Sequence, residues 1–138
     1  MPVRLLDIRE TPLDVGEVVA ALGKDDAGGL NIFVGLVRDH DHGRGVIGLD
    51  YSAHPTAMAK LSEVAETVAM RHGVDVAAVH RVGELAIGDI AVIVATTAAH
   101  RGEAFTATRD LIDTLKAEVP IWKHQRFDDG EHEWVGLP

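Results

Sequence analysis

Two long amphipathic stretches, separated from each other by a pair of strand-like runs, restrict what this chain can fold into more than any other feature. Ala57, Met58, Leu61, Val64, Ala65, Val68 and Ala69 recur at helical spacing to about His72, and Pro55 suits the first turn of that helix. A second amphipathic stretch covers 102–117, with Ala104, Phe105, Leu111, Ile112 and Leu115 as the expected buried stripe, and Pro120 stops it. A short helix through Leu22 is expected behind Asp14, a good N-cap. Strand-like runs occupy 3–8, 30–37, 46–52, 74–82, 91–97, 121–127 and 132–135. The order is β-α-β-β-α-β-β-α-β-β. A doubly wound fold alternates singly, so this order predicts an α+β sandwich with a mixed or antiparallel sheet and three helices. Within it, 46–52 is expected to return on 30–37 as a wide hairpin, and the last two runs to form a hairpin around Asp128-Asp129-Gly130.

The chain has 138 residues, no visible linker and no internal repeat, so 1–138 reads as one domain. Lys and Arg number 13 against 22 Asp and Glu, a net charge of −9 that speaks against a whole-surface nucleic-acid binder. An anionic ligand must then be met by a local cationic pocket. With no cysteine there is no disulfide, no thiolate metal site and no thiol nucleophile. Any sulfur chemistry must use sulfur brought from elsewhere. No apolar run has the ~18–20 residues of a membrane span, and the start lacks the basic-then-apolar pattern of a signal peptide, so the cytoplasm is the expected compartment. No Gly-rich phosphate loop follows a strand, and no nucleotide cofactor is expected.

Of the four lysines, Lys24, Lys60, Lys116 and Lys123, the last two flank the turn at Pro120. A helix end and the strand leaving it can bring both to one rim of a cleft. His100-Arg101 opens the same helix directly after an apolar strand, where unpaired N–H groups and the helix dipole favour anions. The loop from Arg38 to Arg44 is a third cationic element. Together they suggest a pocket for a phosphorylated small molecule with a lysine for chemistry, since crowded cations make a lysine a better base or nucleophile. The plainer alternative is a set of solvated charges. His40-Asp41-His42 could ligate zinc only with a third ligand, and a solvated loop is favoured there. His80-Arg81 reads as a structural pair in a strand, and Trp122 and Trp134 as core or interface residues.

Four motifs in series carry a resemblance. They are Phe33-Val34-Gly35-Leu36-Val37-Arg38-Asp39-His40; His80-Arg81-Val82-Gly83-Glu84-Leu85 with Ile87-Gly88-Asp89; Ala99-His100-Arg101 with Glu103-Ala104-Phe105; and Leu115-Lys116 with Val119-Pro120-Ile121-Trp122-Lys123, closed by Asp129-Gly130 and Trp134-Val135. In this order the chain resembles the large, catalytic subunit of molybdopterin synthase from about Gly29 to Gly136. The resemblance implies an α/β hammerhead fold and a homodimer. Each protomer would take a small ubiquitin-like sulfur-carrier subunit, giving a heterotetramer. The carrier's C-terminal Gly-Gly thiocarboxylate would enter the pocket and deliver two sulfurs to cyclic pyranopterin monophosphate, making the molybdopterin dithiolene. Carried over by motif, Lys116 and Lys123 match the family's essential lysines, and Arg38, His100 and Arg101 its substrate-binding residues. Phe33 and Arg44 fall in matching segments. The resemblance implies neither a metal nor a cofactor. The competing readings are a non-catalytic module for a ubiquitin-like partner and a metal-dependent hydrolase built on His40 and His42.

Overall fold

Each helix begins or ends where a particular residue forces it to. The computed structural model describes residues 1–136; Leu137 and Pro138, the last two of the expected 1–138 domain, lie outside the described residues. After strand β1 (Val3–Arg9), Asp14 adopts an extended backbone and its carboxylate accepts the Gly16 N–H at 2.9 Å, starting helix α1 (Val15–Ala21). Helix α2 (Ala57–His72) begins after Thr56, with Pro55 just ahead of the cap rather than inside the first turn, and ends at Gly73 in the left-handed conformation at φ 65°. Helix α3 (Arg101–Glu118) stops at Val119, whose extended backbone suits a residue preceding proline.

The remaining strands are β2 (Gly29–Leu36), β3 (His40–Asp41), β4 (Arg44–Ala53), β5 (Asp75–Arg81), β6 (Gly83–Leu85), β7 (Ile90–Ala98), β8 (Ile121–Phe127) and β9 (His132–Val135). They form two sheets. One has the order β1-β5-β7-β2, with β1 parallel to β5 and the other neighbours antiparallel. The second runs β3-β4-β8-β9, with β6 also on β4, and is antiparallel throughout. This is the mixed and antiparallel α+β architecture with three helices expected from the order of elements.

The side-chain period of two divides the first sheet cleanly. Val76, Ala78, Val92 and Val94 face α2 and α3, meeting Leu61, Val64, Val68, Leu111 and Leu115 in the main core. Ala77, Val79, Ile93 and Ala95 face the other way, against Leu13, Val18 and Leu22 around α1. A smaller cluster of Val37, Leu49, Leu85 and Ala91 joins the two sheets.

Two expectations fail here. The wide hairpin between 30–37 and 46–52 does not form: β2 pairs with β7 along its whole length, while β4 pairs with β8 in the other sheet. At the exit of β2, Val37 N–H donates to Asp89 O at 3.0 Å and Gly88 N–H to Val37 O at 2.7 Å, which turns the chain off the first sheet before it can fold back. Phe105 is not in the buried stripe of α3; it is 59% exposed, and Ala104, Ala107 and Thr108 take the contact face. Small residues let the helix lie close to β2 and β7, where Thr96 Oγ1 donates to Ala104 O at 3.0 Å and Thr108 Oγ1 to Asn31 O at 3.3 Å. A phenyl ring on that face would lift it off. Strands β3 and β6 also went unseen, because two and three residues are too few to show a period.

Leu61 is fully buried on α2, whereas Met70 on the same helix is 85% exposed. Leu61→Ala should lower unfolding free energy by about 2–5 kcal/mol, and Met70→Ala should stay within about 0.5 kcal/mol of wild type. Denaturant titration of the two variants checks the assignment of the core face.

Candidate active site

The turn at Val119-Pro120 reverses the chain from α3 into β8, so Lys116, in the last helical turn, and Lys123, on the strand, come to one region. Pairing with β4 then fixes Lys123 directly across from Tyr51. Phe33 and Arg38 reach the same place from the end of β2 and the residues after it. With Gln125 these side chains line a cleft of about 490 Å³. A second cavity of about 200 Å³ lies behind it. Tyr51, Lys116 and Lys123 form the wall the two cavities share, and His80 and Val135 complete the second one.

The four lysines divide by their partners. Lys24 is held by Asp26 at 3.6 Å and Asp75 at 3.5 Å, and Lys60 by Glu63 at 3.4 Å and Glu118 at 3.5 Å. Among the described residues Lys116 and Lys123 form no ion pair. Lys116 is exposed and Lys123 half-buried. Burial, reinforced by the positive charges of Lys116 and Arg38, holds the Lys123 ammonium below the ordinary lysine pKa, although Asp41 and Glu133 pull the other way.

Asp41 organises the cationic rim. Its carboxylate accepts Gln125 Nε2 at 2.8 Å and Arg38 Nη2 at 3.1 Å, with His42 Nε2 at 3.6 Å. The Gln125 hydrogen bond, with the charges of His42, Lys123 and Arg38, holds this carboxyl below the usual aspartate range. The floor of the cleft needs a glycine: a Cβ on Gly35 would stand 2.6 Å from Val92 Cγ1 and 3.4 Å from the Phe33 ring. Sequence reasoning assigns no site role to Tyr51, Gln125, Asp41 or Gly35, although Gly35 and Asp41 stand inside motifs it quotes. The only signals available were the position of Gln125 two residues after Lys123 on a strand, hence on the same face, and the position of Asp41 in the loop that follows Arg38.

Not all of the expected set assembles in one chain. His100 caps α3 and Arg101 is its first residue, both exposed, whereas Lys116 is fifteen residues further along the helix. At 1.5 Å per residue that is a separation of about 22 Å, so His100 and Arg101 lie outside the cleft of their own protomer. Arg44 is not in the lining either. It bonds Asp129 at 2.9 Å and Glu131 at 3.1 Å and lies 3.8 Å from the centre of the Phe127 ring, tying the β3–β4 turn to the β8–β9 turn. His40 turns to Asp39 at 3.0 Å and His42 to Asp41, and among the described residues no group of three potential ligands gathers around them.

A sequence profile described as "MoaE protein" matches residues 8–118. The molybdopterin synthase catalytic subunit 1 of Mycobacterium tuberculosis is 46% identical over 131 residues, which cover 94% of this chain and 88% of that protein. A crystal structure of molybdopterin synthase from Staphylococcus aureus superposes with a TM-score of 0.87 at 31% identity, covering 94% of this chain and 95% of that one. A chain from a protein–protein complex of subunits 1 and 2 of molybdopterin-converting factor from Helicobacter pylori shares the fold, with a TM-score of 0.73 at 23% identity over 94% of this chain and 89% of that one.

The position of Lys123 has a thermodynamic consequence. Its ammonium is disfavoured in the folded state, so the unfolded chain binds that proton more readily, and stability rises with pH across the window between the depressed and the ordinary lysine pKa. Lys123→Met should therefore melt higher than wild type at neutral pH, and the gap should narrow as pH rises through that window. Thermal melts of the two proteins over an alkaline pH series check this, and a variant that melts lower at neutral pH would contradict it.

Proposed function

The chain belongs to the MoaE family of molybdopterin synthase catalytic subunits, and we propose that its cleft moves sulfur from the thiocarboxylated Gly-Gly terminus of a small ubiquitin-like carrier onto cyclic pyranopterin monophosphate. One observation carries this reading: two lysines that have no ion-pair partner among the described residues, one of them half-buried, share a wall between a substrate-sized cleft and a smaller cavity. The intact set of Lys116, Lys123 and Arg101 speaks against a non-catalytic binding module, which does not need those residues together. The reading treats 1–138 as one functional unit.

The chemistry follows from the groups available. The thiocarboxylate sulfur bonds to a substrate carbon, and an oxygen on that carbon leaves with a proton. Water then cleaves the acyl–sulfur bond, leaving sulfur on the pterin and a carboxylate on the carrier. A second round completes the dithiolene. Lys123, whose ammonium is disfavoured by burial, is the acid–base group for the leaving oxygen. Lys116, exposed at the helix end, meets the carrier's terminal carbon. Arg38 holds phosphate and the charge that develops during reaction. The absence of cysteine fits a sulfur that arrives on a partner, and the net charge of −9 confines anion binding to this local cationic cleft.

His100 and Arg101 join the same site if a second copy supplies them. Strand β2 is an outer strand of its sheet, with Leu30, Phe33 and Leu36 exposed, and Phe105 is exposed on α3, which packs over it. The Gly29 end of β2 lies beside Arg101, and its Leu36 end leads into the cleft. Antiparallel pairing of two such strands would set each copy's His100 and Arg101 at the other's Lys116. This is the homodimer within a heterotetramer, and it replaces a site made by one chain alone.

Reconstitution with thiocarboxylated carrier and pterin precursor tests the activity, with dithiolene as the readout. Lys116→Ala should abolish product with fold stability changed by about 1 kcal/mol or less, and Lys116→Arg should fail almost as badly, because arginine offers no neutral amine. A Lys116→Arg enzyme that keeps most of the rate would reduce that lysine to an electrostatic contact. The shared site is tested by mixing Lys116→Ala with Arg101→Ala. A mixed dimer holds one intact site, so random exchange should restore about a quarter of wild-type activity, whereas a site built within one chain restores none.

A further inference from the structure

Buried beneath the lysines is a titratable side chain that the proposed chemistry leaves unused. His80 continues the row Val76, Ala78 on β5, the row that faces α2 and α3, and it emerges just past the last turn of α3. It is only 6% exposed. Its Nδ1 lies 2.8 Å from the carbonyl oxygen of Arg81. A carbonyl only accepts, so Nδ1 carries the proton and Nε2 keeps its lone pair. Tyr51 stands edge-on to the ring at 4.9 Å between centroids and fixes its plane. Among the described residues nothing hydrogen-bonds Nε2, and the ring lines the 200 Å³ cavity together with Lys116 and Lys123.

We propose that His80 is a positioning residue for Lys116: the two side chains line the same cavity without a hydrogen bond between them in this structure, and a change of Lys116 rotamer lets Nζ donate to the Nε2 lone pair, which aims that amine along the wall shared by the two cavities. The proposal rests on the sulfur-transfer reading for what the aimed lysine does, but not for the contact itself. Three features support it. The Arg81 carbonyl selects the tautomer that leaves Nε2 as an acceptor. Burial, together with the charge of Lys116, lowers the His80 pKa to about 4, so the ring is neutral and able to accept throughout the neutral range. Lys116 is otherwise an exposed side chain at a helix end without an ion-pair partner among the described residues, and a fixed acceptor restricts its rotamers.

Two substitutions separate positioning from packing. His80→Asn keeps a donor where Nδ1 sits and has nothing at Nε2. His80→Gln places an amide oxygen near Nε2 and gives up the bond to Arg81. Loss of a single hydrogen bond corresponds to about 2–10-fold, so His80→Asn should lower kcat by that factor with little change in KM for the pterin, and His80→Gln should recover part of the loss. A purely structural histidine predicts that both variants lose activity in step with their melting temperatures.

Nitrogen-15 NMR of histidine-labelled protein, recorded without carrier or pterin, reads the contact directly. The expected result is an Nδ1–H tautomer whose Nε2 resonance moves in Lys116→Met. An Nε2–H tautomer, or an Nε2 resonance unchanged in Lys116→Met, overturns the proposal even if dithiolene is formed. If wild type makes no dithiolene but the resonance responds, the contact stands and the sulfur-transfer reading falls.

Discussion

The pairing of β4 with β8 is the interaction on which the site depends. It joins a strand that follows the loop at Arg38 to one that leaves the last helix, some seventy residues later. It sets Tyr51 against Lys123, Asp50 against His124 and Leu49 against Gln125. Arg126 bonds Asp50 at 2.6 Å and Gln125 bonds Asp41 at 2.8 Å, so the ladder is pinned by side chains from both directions. A one-residue slip would turn Lys123 to the opposite face and send Trp122 or His124 into the cleft.

The electrostatics follow from that register. Lys123 lies close enough to Lys116 and Arg38 for their charges to oppose its own, and Asp41 sits near enough to moderate the repulsion without closing an ion pair. Elsewhere most of the cations are matched. Lys24, Lys60, Arg9 and Arg71 all have carboxylate partners. Among the described residues, unmatched positive charge is gathered at the cleft and at the start of α3, the two places the proposed dimer would bring together.

Local chemistry made much of this readable in the sequence. Asp14 as a cap, Pro120 as a stop, the last hairpin and the run of α2 all follow from contacts within a few residues. The joint placement of Lys116 and Lys123 was readable too, because a helix end and the strand after it span only seven residues. What failed was pairing at long range and fit between surfaces. Strands β2 and β4 each suit a sheet, but nothing local says that they belong to different ones. Phe105 matches a helical stripe by spacing and misses it by size. The exclusion of His100 and Arg101 from their own chain's cleft was legible all along, since the expected helix length already separates them from Lys116.

The outer wall of the lysine cavity is supplied by an exposed edge strand. Val135 and Gly136 close one side of it, and every residue of β9 is exposed. Beyond its ladder to β8, that strand is held by the stacking of Trp134 on His124 at 4.4 Å and the contact of His132 with His124 at 2.9 Å. A strand with so little buried apolar surface opens at a small fraction of the global unfolding free energy. Backbone amides of β9 should therefore exchange with solvent far ahead of those in β5 and β7, and each such opening uncovers the cavity while the main core stays shut.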